Sequence, residues 1–326
     1  MNEFFNTSEI WVLTDDRAGN IAQALGVAEA LGQPFHEKPI RYTPWGRLHN
    51  ALRATSRRGL EVWSRKSIEQ MPPPALVIAA GRRTAPLARW FKKRFASRLV
   101  QLMDPGWPGR PVFDLIAAPL HDALPAAPNV IHTLGSCHRA SPERQAREAA
   151  IWRSRLPDLP RPWTLLLVGG DAPGAPFGPS EIMLLSRQLA SLPGSLLVVT
   201  SRRTGQPAER LLRAALPRAG YVHEWREHCD NPYLALLALA DQIVVTGDSM
   251  SMCSEACSNG GPVFIFAAPS LKEAKFRLFH SQLYLGGYAR PLGDDPSPWH
   301  HPPLNAAQGV AHEILQRQLL LHQGCF

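Results

Sequence analysis

Short apolar runs alternate with helix-like stretches along the whole chain, and that alternation leaves few folds open. "IWVLT" (Ile10 to Thr14), "ALVIAA" before Gly81, "RLVQLM" before Asp104, "FDLIAAP" and "NVIHTLG" read as strands in the first half. "WTLLLVGG", "SLLVVTSR", "YVHEW", "DQIVVTG" and "PVFIFAA" read as strands in the second. Between them lie helical segments such as "IAQALGVAEALG", stopped by Gly32, and "TAPLARWFKKRF". Another is "NPYLALLALA", where Asn231 suits a cap and Pro232 the first helical position. This is the sequence face of parallel α/β structure.

Both halves open with a strand, a Gly/Asp-rich turn and a helix. "LPDLPRPW", with three prolines in eight residues, is a stiff connector between them. The expected architecture is α/β, two tandem Rossmann-like domains facing a cleft. They span residues 1–156 and 157–305, and a helix within 306–326 crosses back to the first. The 326 residues suffice for two such cores. With 45% hydrophobic and 19% charged residues, extensive disorder is excluded.

The net charge of +8 rests mostly on arginine, whose planar fork suits phosphate and carboxylate. Nucleic acid, a nucleotide or an anionic membrane would all fit that charge, but no nucleic-acid module is recognisable. Cys137, Cys229, Cys253, Cys257 and Cys325 form no C-x-x-C pair, and small buried thiols explain them better than a metal site with His228. Neither a basic leader nor a bilayer-length apolar run is found, so a cytoplasmic location is expected.

No phosphate-binding G-x-x-x-x-G-K-[ST], no G-x-G-x-x-G, no H-E-x-x-H, no G-x-S-x-G and no Asp-x-Asp pair occurs. Phosphate recognition by glycine turns and helix N-termini, with no cofactor and no required metal, is what remains. In open parallel sheets ligands lie beyond the carboxyl ends of the strands. "GGDAPG" (Gly169 to Gly174) lets backbone N–H groups approach a phosphate, with Gly170 at its centre. "TGDSMS" (Thr246 to Ser251) offers Gly247 and the hydroxyls of Ser249 and Ser251 at a strand-to-helix junction. Asp248 would repel a diphosphate and suits an N-cap. Glu255, about one helical turn on, can accept both hydroxyls of a ribose, or simply favour the helix start.

"SEACSNGGP" (Ser254 to Pro262) resembles the donor-nucleotide helix of GT-B glycosyltransferases such as the peptidoglycan GlcNAc transferase. There a Glu seven residues before a proline holds the donor ribose, and Glu255 and Pro262 match. "FRLFHSQLYLGGYARPL" is similar to the segment that follows it, and non-hydrolysing sugar-nucleotide 2-epimerases share a similar stretch. Over nearly the full length, the chain resembles the plant mitochondrial fission factors and their bacterial relatives. "WVLTDDRAGNIAQALGVAEALG", "PLHD", "NVIHTLGSCHRASPE", "VGGDAPG", "DNPYLALLALAD" and the run from Val244 to Phe266 carry that resemblance. Bacterial members are regarded as glycosyltransferases, whereas plant members act in organelle division.

An inverting transfer needs a base near the acceptor hydroxyl. Asp15 and Asp16 in "TDDRAGN" and His121 with Asp122 in "PLHD" are the candidates, each with a structural alternative, such as Asp16 capping the helix after it. Arg17, Arg82 and Arg83 can neutralise phosphates of donor or acceptor. Between Arg41 and Lys66, eight basic side chains (His49 included) mix with Trp45, Leu48, Leu52, Leu60 and Trp63. Two readings fit: a surface gripping anionic lipid, or an arginine-rich helix packed one side on the domain. The leading expectation is sugar transfer from a nucleoside-diphosphate donor to an unknown acceptor, lipid-linked or lipopolysaccharide-like if the surface binds membrane. A non-catalytic adaptor for membrane or partner, and a sugar-nucleotide epimerase or hydrolase, are the alternatives.

Overall fold

The computed structural model describes residues 9–69 and 72–320, so Cys325 lies outside the described residues. Contacts divide the chain into two units. One comprises the described residues up to Arg139 together with those from Ala306 onward, and the other is Ala140–Asn305.

The first unit is a six-stranded parallel sheet. In chain order it contains β1 (Ile10–Thr14), α1 (Ala18–Ala30), β2 (Phe35–Pro39), α2 (Asn50–Arg53), α3 (Val62–Glu69), β3 (Leu76–Ala80), α4 (Ala85–Phe95), β4 (Arg98–Leu102), β5 (Leu115–Pro119) and β6 (Val130–Thr133). The strands lie side by side as β2-β1-β3-β4-β5-β6. Successive side chains of a strand point to opposite faces, and here both faces are covered. Ile10, Val12, Leu76 and Ile78 pack with α1 on one face, while Trp11, Leu13, Val77 and Ala79 pack with Phe91 of α4 on the other. Helices on both faces explain why these strands are continuously apolar. The C-terminal helix, Ala306–Gln316, places Val310 and Ile314 in the same cluster as Ala24 and Val27 of α1.

The second unit holds α5 (Pro142–Trp152), β7 (Trp163–Val168), α6 (Pro179–Leu189), β8 (Ser195–Thr200), α7 (Gly205–Ala215), β9 (Ala219–His223), α8 (Tyr233–Leu239), β10 (Gln242–Thr246), α9 (Met250–Ala256), β11 (Val263–Phe266), α10 (Ala274–Leu285) and β12 (Arg290–Pro291). Its six strands are parallel, in the order β12-β11-β10-β7-β8-β9. Leu166, Val198, Val244 and Phe264 build the core with Leu185 of α6 and Leu212 of α7.

Two details differ from the sequence reading. The change of unit falls before α5, not at the proline-rich connector, because α5 packs along α8 of the second unit. Residues 41–66 are not one helix but a single 3₁₀ turn (Pro44–Arg47) followed by α2 and α3. Pro44 and Gly46, and then Gly59 with φ +82°, break the helical path.

Candidate functional site

Strand order marks the place in each unit where a ligand fits. A crevice opens at the carboxyl ends of two neighbouring strands whose connections run in opposite directions, the topological switch point. In the second unit that point lies between β7 and β10, and in the first between β1 and its neighbour β3.

At the β7/β10 point the chain is tightly knit. Gly169 N–H donates to Thr246 Oγ1 at 2.8 Å, and Thr204 Oγ1 donates to the carbonyls of Val168 and Gly169. Gly170 has φ +131°, and a Cβ there would lie 2.4 Å from the Arg203 carbonyl oxygen, so only glycine fits. A Cβ at Gly247 would meet His280 Cε1 at 2.5 Å, while His280 Nε2–H donates to the Gly247 carbonyl at 2.9 Å. Protein atoms thus fill the space that each glycine opens. The recess lined by Gly170, Phe177, Thr246, Gly247, Asp248 and Ser270 has a volume of about 10 Å³, room for about one water. Anything larger must lie on its outer rim.

Asp248 is not the cap of α9. Its carboxylate takes Arg203 Nη2 at 2.7 Å and lies over Gly169, whose missing Cβ leaves it space. Burial pushes its pKa up, against the pull of Thr246 and Arg203. The cap is Ser249, whose Oγ accepts from Met252 N–H at 3.5 Å. Ser251 follows in the first turn of α9, partly accessible.

Glu255 projects from the last turn of α9 and is half-buried. Tyr233, first residue of α8, donates its hydroxyl to Glu255 Oε2 at 2.5 Å. Burial raises the Glu255 pKa to about 7, opposed by the Tyr233 hydrogen bond and the charge of Arg144. Tyr233 in turn is raised well above its ordinary value, by burial first and then by the Glu255 charge. Asn231 Oδ1 accepts from Tyr233 N–H at 3.0 Å, so the α8 start is fixed from the position expected, with Pro232 one residue earlier than expected, at the cap.

At the β1/β3 point, Asp16, Arg17, Arg82 and Arg83 line a cavity of about 430 Å³ with Asn50 and Leu48. Asp15, not Asp16, holds the start of α1, accepting from Arg17 N–H at 3.0 Å and from Asn20 Nδ2. Asp16 projects into solvent and pairs with Arg83. The Arg82–Arg83 turn is anchored by its own carbonyls: Asn50 Nδ2 donates to Arg82 O at 2.8 Å, and Tyr42 Oη and Arg53 Nη1 donate to Arg83 O. His121 and Asp122 sit in the 3₁₀ turn after β5, at the same sheet edge but outside the cavity lining. The His121 ring is buried, with Nε2 3.9 Å from Asp122 Oδ1, beyond hydrogen-bond reach.

Sequence reasoning did not reach Tyr233, Asn50 and Arg203. Arg203 lies in the turn after β8, three residues past its end, so the strand-end rule that selected Gly170 would have found it. Tyr233 carried no such signal. Cys137, Cys253 and Cys257 are buried thiols and Cys229 is exposed. Among the described residues no three His, Cys, Asp or Glu side chains are grouped to hold a metal, and no helix is long and apolar enough to cross a membrane.

The sequence profile of mitochondrial fission ELM1 matches residues 18–318. The chain belongs to the mitochondrial fission ELM1 family. Protein RP120 of Rickettsia prowazekii (strain Madrid E) is 28% identical over 96% of this chain and 99% of its own. Mitochondrial fission protein ELM1 of Arabidopsis thaliana is 28% identical over 75% of this chain, which spans 65% of that relative. Among solved structures, a UDP-GlcNAc 2-epimerase from Methanocaldococcus jannaschii superposes with a TM-score of 0.51 at 11% identity, over 94% of this chain and 99% of that one. A putative UDP-N-acetylglucosamine 2-epimerase from Listeria monocytogenes gives 0.50 at 12% identity, over 98% and 91%. The fold of this ELM1-family chain is therefore α/β with two Rossmann-like units of GT-B type, as expected from the sequence.

Proposed function

We propose that this chain transfers a glycosyl group from a nucleoside-diphosphate sugar, bound by the second unit, to an acceptor bound by the first. The observation that supports this reading is placement. Gly170 and Gly247 line the recess at the switch point of the second unit, Ser249 caps the helix α9 that carries Ser251 and Glu255, and Asp16, Arg17, Arg82 and Arg83 line the cavity at the switch point of the first.

In this proposal Glu255 Oε1 accepts the ribose hydroxyls, and Tyr233 fixes the carboxylate. Ser249, Ser251 and the loop after Gly170 hold the diphosphate on the rim of the small recess. Arg17, Arg82 and Arg83 neutralise an anionic group on the acceptor, each charge-assisted contact being stronger than a neutral one. The acceptor hydroxyl oxygen bonds to the anomeric carbon as its proton passes to a base. The bond from that carbon to the diphosphate breaks, and the nucleoside diphosphate departs with the electron pair. Asp16 is the one carboxylate in the cavity lining and is assigned as that base.

Isothermal calorimetry with UDP, GDP, ADP, CDP and TDP tests the donor half. One nucleotide should bind, and Glu255→Ala should weaken it by at least about tenfold, or ~1.4 kcal/mol. Equal affinity in the variant removes Glu255 from the site. Absence of any binding leaves the adaptor role instead. Free nucleotide or an isomerised sugar formed without acceptor would mark a hydrolase or epimerase.

A further inference from the structure

The first unit carries an unusual surface. Trp45 is 71% exposed, Leu52 65%, Val62 68%, Trp63 52% and Trp107 70%. Scattered exposed apolar residues are ordinary, but three tryptophans and two large aliphatics on connected backbone are not.

Hydrogen bonds and close contacts join the backbone segments that carry these residues into one strip of chain. Thr43 N–H donates to Gly59 O, and Gly59 abuts the backbone of Trp45 and Gly46. Glu61 N–H donates to Arg41 O, and the Arg41 guanidinium lies over the Trp63 ring. On the other side Arg89 is buried and bridges the carbonyls of Ala54 and Pro108, which sets the Trp107 loop beside the end of α2. Cations are interleaved throughout: Arg41, Arg58, Arg65 and Lys66 are exposed, whereas the acids of this stretch are Glu61 and Glu69, the latter paired with Arg57. Leu60, by contrast, is buried in the core.

We infer that this strip docks the first unit on an anionic phospholipid bilayer. Tryptophan rings are amphipathic and settle at the headgroup level, apolar body inward and N–H toward water. Guanidinium and ammonium groups beside them match the negative surface potential of such a leaflet. A protein partner would need matching shape, but a fluid headgroup layer accepts this mixture of bulky rings and cations as it is. Leu48, 39% exposed, also lines the cavity of Arg17, Arg82 and Arg83. Docking therefore sets that cavity next to the headgroups.

Co-sedimentation with extruded phosphatidylcholine vesicles, with and without about 30 mol % phosphatidylglycerol, tests this. The whole protein should pellet with the anionic vesicles, stay in solution with neutral ones, and be released by raised salt. Trp45→Ala/Trp63→Ala/Trp107→Ala should lose at least about tenfold of the affinity with an unchanged far-ultraviolet circular dichroism spectrum, since these rings support no core. If the triple variant is misfolded, Trp45→Ala alone is used, with a loss of about threefold or more expected. Failure of the wild type to bind anionic vesicles, or equal binding by the folded variant, overturns the inference. So does sedimentation equilibrium showing a dimer that the same substitutions dissociate, without vesicle binding, because a second copy would then be the occupant.

Discussion

Replacing Glu255 by glutamine isolates the energetics of the carboxylate on which the donor site rests. Glutamine keeps the shape and can still accept the Tyr233 hydrogen bond, but it does not titrate. The folded chain holds the Glu255 proton more tightly than the unfolded chain, its pKa rising from 4.5 to about 7 through burial. The stability that this group contributes is therefore complete below pH 4.5, fades as pH rises, and is lost above about 7. A shift of that size corresponds to about 3 kcal/mol at ~1.4 kcal/mol per unit. The side chain is only half-buried, and solvent screening reduces the expectation to about 1–2 kcal/mol. For a unit of this size that is about 2–8 °C in melting temperature. Thermal unfolding of both proteins, followed by circular dichroism at steps of pH, reads the difference directly. Glu255→Gln should match the wild type near pH 4.5 and exceed it near pH 8, with the gap opening around neutrality. A gap that stays constant with pH would refute the burial argument, and a gap of opposite sign would place the carboxylate in a stabilising ion pair instead.

Two other expectations concern stability. Gly170→Ala should cost about 2–4 kcal/mol in urea unfolding, because a positive φ and a backbone clash with Arg203 act together; a cost near zero would show that the loop after β7 relaxes. Ile314→Ala should cost about 2–5 kcal/mol through the cavity it leaves against α1; a loss under about 1 kcal/mol would exclude the C-terminal helix from that core.

Much of the fold was legible because parallel strands buried on both faces are apolar throughout and end at glycine, as at Gly81, Gly169 and Gly247. The strand Phe35–Pro39 was not, since His36, Glu37 and Lys38 give it no apolar run. It is an edge strand whose Lys38 is buried over the Trp11 ring, a contact no local pattern announces. The fate of residues 41–66 was hidden for a similar reason. Charge and tryptophan content fit both a packed helix and an exposed surface, and the contacts of Gly59 and Arg89 that place these segments are tertiary. At the candidate site, strand ends marked the right loops, but not what fills them. Asp248 turned to Arg203, and Tyr233 reached Glu255 across 22 positions of sequence.

The threading of the chain also has a consequence for its birth on the ribosome. The second unit is spelled out by one uninterrupted stretch, whereas the first is begun, abandoned at Arg139 and resumed at Ala306. During translation the latecomer unit can close its core while its elder sibling still shows an apolar flank along α1, waiting for Val310 and Ile314. A chain stalled or clipped between the two would carry a finished half and an unfinished one, with the sticky surface on the half made first.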